Sequence, residues 1–300
     1  MPKQNISIAL WLSTGGLAVM AAMSAAVHEV AKFVPTGQII FWRSFVALVP
    51  ILIYLAIRRE LGQAVRTRYP HKHLVRGLLG CAVMFFSFVS LRYLSVGLAT
   101  ALTYLAPILS ITAAMVFLRE RPGPTIFIGV LLGFAGIVLM LYPALVGAEL
   151  RDGTLIGIGA GIAMAATNAL SRVQVKDLTR TEPPAAIALS FAIICSLVGL
   201  ATALFGWVDL GAREFVLLAG AGFLGGLGHV LMMESVARAP VSVLAPYEYT
   251  GIIWAFGFDL LLLGIAPSAW ALTGALVVVA AAAIVAYGQG RFARKTTASA

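Results

Sequence analysis

The sequence predicts an all-α integral membrane protein with ten transmembrane helices arranged as two inverted five-helix repeats. Three observations lead there. Of 300 residues, 61% are hydrophobic and 11% charged, with mean hydropathy +0.98; a soluble domain carries about 25% charged and about 45–50% apolar residues. Ten apolar runs are each long enough to cross about 30 Å of hydrocarbon, which needs roughly 20 residues. An offset of 145 residues aligns the two halves: Pro122 falls on Pro267, Gly129 on Gly274, Tyr104 on Tyr249, Val96 on Val241, Tyr142 on Tyr287 and Gly16 on Gly161.

The runs are 6–27, 37–57, 74–94, 96–118, 124–143, 153–175, 184–206, 213–236, 241–263 and 268–288. The first is too long for the apolar core of a signal peptide, so it reads as a retained helix. Very short turns separate runs at Ser95 and around Arg238-Ala239-Pro240. Lys and Arg set the orientation, because short cytoplasmic loops collect them. One side holds Lys3, the six from Arg58 to Arg76, Arg119, Arg121, Arg172, Lys176, Arg180, Arg238, Arg291, Arg294 and Lys295. The other holds only Lys32, Arg92, Arg151 and Arg213. Both termini are therefore expected in the cytoplasm, in a bacterial-type inner membrane, as an even number of spans requires. The net charge of +9 is then a topology signal, and the basic loop 58–73 suits anionic lipid rather than nucleic acid. Cys81 and Cys195, inside apolar runs without CxxC spacing, read as small buried hydrophobes.

Five spans per half is an odd number, so the second copy must be inverted relative to the first. The expected units are residues 1–148, residues 149–290 and a basic cytoplasmic tail, 291–300. Inverted repeats recur in secondary transporters, where the substrate sits near the midplane between the halves.

The residues also resemble a known family. "FWRSFVALVPIL" in the second span, "LRYLSVGLATALTYLAPILSITAAMVFLRERP" across the fourth, "GVLLGFAGIVLML" in the fifth and "SVARAPVSVLAPYEYTGIIWAFGFDLLLLGIAP" in the second half are similar to EamA-type proteins of the drug/metabolite transporter superfamily. The resemblance covers roughly residues 6–288. It implies ten helices, an inverted repeat and movement of small metabolites, with bacterial exporters of amino acids, aromatic ones included, as the nearest branch. One departure is visible: the acidic residue that often ends the fourth and ninth spans is present as Glu120, but Ile265 stands at the second position.

Polar residues inside the spans are the candidate site. Arg43 lies six residues beyond Gly37, so about 9 Å deep at 1.5 Å per residue. It reads either as a strut between helices or as the ligand of a substrate carboxylate, since a guanidinium presents a planar fork. Glu29 and Asp259 are its expected partners by charge balance. Glu248, between Tyr247 and Tyr249 and after Pro246, must face protein or a wet cavity; proton handling, amine binding and a structural role all remain open. Pro246 and Pro107 are expected to bend the ninth and fourth spans and to serve as hinges or a gate. His229 follows Gly222, Gly225, Gly226 and Gly228, which allow close helix approach. His229 and Asn168 each read as cavity residue or packing bond, and Phe85, Phe86, Phe88, Tyr104, Tyr247, Tyr249 and Trp254 as a stacking surface or as ordinary packing.

No lysine follows a glycine, so the phosphate loop of an ATP-driven pump is missing, as are HExxH, DDxxD, HxxxxD and GxGD. His229 and Glu234, five apart, suit a helical metal site poorly. The expectation is a monomeric secondary transporter without cofactor or metal, exporting amino acids or related metabolites. Nucleosides, sugars and cationic drug-like molecules are the other cargo classes, and a membrane enzyme is the remaining reading.

Overall fold

The computed structural model describes residues 5–65, 67–106, 109, 124–146, 153–179, 181–239, 244 and 247–298. The described segments are helical: α1 (Ile6–Ala31), α2 (Thr36–Arg58), the single turn α3 (Leu61–Ala64), α4 (Pro70–Tyr93), α5 (Val96–Thr103), α6 (Pro124–Val146), α7 (Thr154–Leu178), α8 (Pro184–Ala201), α9 (Ala212–Val236), α10 (Thr250–Leu263) and α11 (Ala269–Ala298). In lipid a backbone can satisfy its polar groups only within a helix or a closed barrel, so apolar runs of this length become helices. Among the described residues six helices are long and apolar enough to cross a membrane, and shorter apolar stretches lie at Phe127–Pro143, Thr250–Leu263 and Ala269–Ala281. The chain is a multi-pass membrane protein. Its outward residues fit that setting, for Ile253, Leu261, Leu276 and Leu197 are all exposed.

The ends of the helices follow local chemistry. Asn5 caps α1 by accepting from the Ile8 N–H at 3.2 Å, and Ser95 caps α5, which explains how so short a turn separates α4 from α5. Proline opens α4 and α8, where its missing N–H costs nothing. Gly153, at φ +97°, precedes α7 in a left-handed conformation that a side chain would resist. Several boundaries differ from expectation, α5 (Val96–Thr103) and α10 (Thr250–Leu263) both being shorter than their runs. Helix α8 ends at Ala201 and a 3-10 turn over Thr202–Phe205 follows. Helix α11 continues to Ala298, so the basic tail extends the last helix.

Helices α2 and α8 run antiparallel along a tight seam. A Cβ on Gly199 would sit 2.6 Å from the Phe41 backbone nitrogen, and Ile51 and Leu55 share a buried cluster with Leu189 and Ala192. The seam is tied at both ends. At one, Gln38 donates to the Val208 carbonyl at 2.9 Å and accepts from its N–H at 3.1 Å. At the other, Glu182 accepts from the Thr67 hydroxyl at 2.9 Å and the Arg68 N–H at 3.0 Å, with His73 Nε2 at 3.6 Å. Burial alone would raise the Glu182 pKa, but these hydrogen bonds and His73 outweigh it and hold the carboxyl below its ordinary value.

Helix α9 lies against α1 and α2, α4 against α7, and α10 against α1 and α5. The glycines of α9 make the first contacts possible: Cβ atoms on Gly222 and Gly226 would sit 2.6 Å from Val46 Cβ and from the Ala47 carbonyl. Asp259 of α10 is 1% exposed and accepts from the Val96 and Gly97 N–H groups at 2.8 and 2.7 Å, closing the start of α5. Helices α6 and α11 pack chiefly on each other, at Gly136 and Gly274, away from the centre.

Candidate substrate site

Between these helices lies a cavity of about 440 Å³, within the usual range for small-molecule pockets. Residues of α1, α2, α4, α5, α7, α8, α9 and α10 line it, with Glu248 just before α10. Of the residues singled out in the sequence, Arg43, Tyr104, Asn168, His229 and Glu248 line it together. Phe85 does not; it is exposed on the far side of α4, edge-on to Phe86 at 5.7 Å, and Phe88 lines the cavity in its place. Tyr247 is exposed and outside the lining. Tyr249 stands behind the wall, its ring 5.0 Å from that of Tyr104. Pro107, Pro246 and Glu120 lie outside the described residues.

Arg43 comes from the middle of α2 and is 4% exposed. Neither expected partner reaches it. Glu29 pairs with Lys32 at 3.7 Å and Arg213 at 3.1 Å, and Asp259 is committed to α5. Charge balance along the chain says nothing about distance, which is why that pairing fails. Arg43 instead points Nη1 at the Met84 sulfur, 3.8 Å away, and its buried Nε has no hydrogen-bond partner. A Cβ on Gly225 would come within 2.9 Å of that Nε, so glycine there leaves the room the guanidinium occupies. An arginine at helix centre costs about 2.5–3.5 kcal/mol on insertion scales, and a sulfur at this range returns little of it.

Arg76 was hidden among the loop cations, yet it sits inside α4 and lines the same cavity. Its guanidinium lies over the Phe191 ring at 4.6 Å, a cation–π contact, while Nε and Nη1 are buried without hydrogen-bond partners. The signal was present: Pro70 is a helix-opening residue, which puts Arg76 nearly two turns in. His229 Nδ1 faces the Gly225 carbonyl at 2.9 Å; a carbonyl only accepts, so Nδ1 carries the proton. The His229 ring lies 5.9 Å from Phe191. On the other wall Tyr104 donates to the Glu248 carbonyl at 3.0 Å, and Asn168 and Ser171 of α7 complete it. Among the described residues no group of three or more His, Cys, Asp or Glu could hold a metal. The arrangement can bind a small polar molecule and neutralise acid groups on it.

Comparisons with known proteins agree with this architecture. The EamA-like transporter family matches residues 7–142. The pseudopaline exporter of Pseudomonas aeruginosa is 25% identical over 88% of this chain and 93% of its own. The riboflavin transporter of Vibrio cholerae is 25% identical over 96% of this chain and 95% of its own, and the S-adenosylmethionine uptake transporter of Rickettsia conorii 22% over 95% and 96%. A solved crystal structure superposes with TM-score 0.64 at 20% identity, covering 94% of this chain and 98% of that one, which shows a shared fold. Over residues 7–142 the chain is thus similar to the EamA-like transporter family, the segment that holds the motifs of the second, fourth and fifth spans.

Proposed function

We propose that the protein is a secondary transporter that moves amino acids or related small metabolites by alternating access. One observation carries the reading: a cavity lined from both halves of the chain that gathers Arg43, Asn168, His229 and Glu248 inside a bundle whose outer face is apolar. The helix contacts favour two inverted repeats of 1–148 and 149–290, since α1 on α9 and α4 on α7 are the same contact under the 145-residue offset. The halves would rock about the cavity, with hinges near Pro107 and Pro246, as a monomer in the inner membrane with both termini cytoplasmic. Relatives named for riboflavin and S-adenosylmethionine keep other cargo classes in the comparison.

Counterflow in proteoliposomes without nucleotide tests the reading, with labelled phenylalanine, tryptophan, threonine and glutamate against unlabelled competitors, nucleosides and sugars included. Accumulation of a labelled solute, lost in Arg43→Lys or Glu248→Gln, supports it. Normal transport by both variants removes those residues from the mechanism. Accumulation of no solute in the panel refutes the transport reading for these classes.

A further inference from the structure

We infer that the cargo is an amino acid bearing two acid groups, held by Arg43 and Arg76 together with Glu248. This rests on the transport reading and names the substrate class of the same cavity. The argument is one of unmatched charge. Two guanidiniums line the cavity, and among the described residues no carboxylate pairs with either. Buried polar nitrogens are normally hydrogen-bonded, yet Arg43 Nε and Arg76 Nε and Nη1 are not. Both side chains are also positioned. Arg43 fits over Gly225 and Arg76 over Gly80, where a Cβ would strike them. Phe191 fixes the Arg76 plane from one side.

Against these two cations the described lining of the cavity offers one acid, Glu248. An amino-dicarboxylate has the complementary pattern of two acids and one ammonium. A neutral amino acid would leave one guanidinium unmatched, and a simple diacid would leave Glu248 unmatched. Arginine binds carboxylate and phosphate alike through its fork, so the second acid can be either.

The experiment uses the full chain in proteoliposomes with labelled glutamate, and unlabelled glutamate, glutarate, O-phosphoserine, phenylalanine and lysine as competitors. Glutamate is expected to accumulate, with phenylalanine and lysine competing at least about tenfold more weakly and glutarate weaker than glutamate. Stronger competition by O-phosphoserine assigns phosphate as the second acid; stronger competition by glutamate itself assigns carboxylate. Arg43→Gln and Arg76→Gln are each expected to lower glutamate uptake by about tenfold or more, with partial rescue in Arg76→Lys. Arg92→Gln, which removes an exposed charge outside the cavity, is expected to behave as wild type. Unchanged size-exclusion profiles and thermal midpoints separate lost binding from lost folding. Phenylalanine uptake that survives Arg76→Gln overturns the two-acid assignment while leaving transport intact. Failure of glutamate and O-phosphoserine to bind or accumulate also overturns it.

Discussion

Replacing Asp259 with alanine should cost more stability than any other single polar deletion between α10 and α5. The carboxylate is 1% exposed and its two oxygens each accept from a different backbone N–H, of Val96 and Gly97, at 2.8 and 2.7 Å. Both donors belong to the first turn of α5, where no intrahelical partner exists. Hydrogen bonds to a charged group contribute about 1.5–3 kcal/mol each, and the helix dipole adds about 0.3–1 kcal/mol. The loss in Asp259→Ala is therefore about 3–7 kcal/mol, a fall of roughly 7–14 °C in midpoint at about 2 °C per kcal/mol. Asp259→Asn keeps one acceptor and should lose about half as much. The assay is thermal unfolding of the detergent-purified protein, followed by tryptophan fluorescence. A midpoint for Asp259→Ala within about 1 °C of wild type would refute the reasoning, because it would mean that the Val96 and Gly97 donors are satisfied without the acid.

Two further outcomes follow from the packing. Glu182 is held below the ordinary glutamate value of 4.5, so its contribution to stability is full above that value and disappears as pH falls through the lower, folded pKa; unfolding midpoints measured from pH 7 to pH 3 should drop more steeply for wild type than for Glu182→Gln. Gly226→Ala places a Cβ 2.6 Å from the Ala47 carbonyl and should destabilise by about 1–3 kcal/mol, whereas Gly15→Ala, with nothing within 4 Å, should stabilise by about 0.5–1 kcal/mol; equal midpoints for the pair would contradict the close α2–α9 contact.

Much of this architecture could be read from the chain because hydrocarbon enforces it. The apolar runs and the Ser95 turn locate most helices to within a few residues. Arg43 was legible as a site residue because a charge in an apolar run contradicts its surroundings. Arg76 was not, because an arginine one turn past a basic loop resembles that loop. Which aromatic faces the cavity was also illegible: lipid and protein interior are both apolar, so the helical period does not separate Phe85 from Phe88. Partnership failed for a different reason. Glu29 and Asp259 balance Arg43 in charge, but Asp259 is claimed by backbone N–H groups that no tally of side chains counts.

The ties at the two ends of the α2–α8 seam are chemically unlike. Gln38 stands in the first turn of α2 and Glu182 two residues before α8, one residue from the 145-residue offset. The amide of Gln38 grips Val208 through two neutral hydrogen bonds that no proton can abolish. The acid of Glu182 grips Thr67 and Arg68 as an acceptor beside His73, and protonation weakens that grip, since a neutral acid accepts less strongly than a carboxylate. The amide-for-acid difference between the two clasps makes only one of them answer to acidity, so a pH gradient across the membrane would load the two ends of the seam unequally.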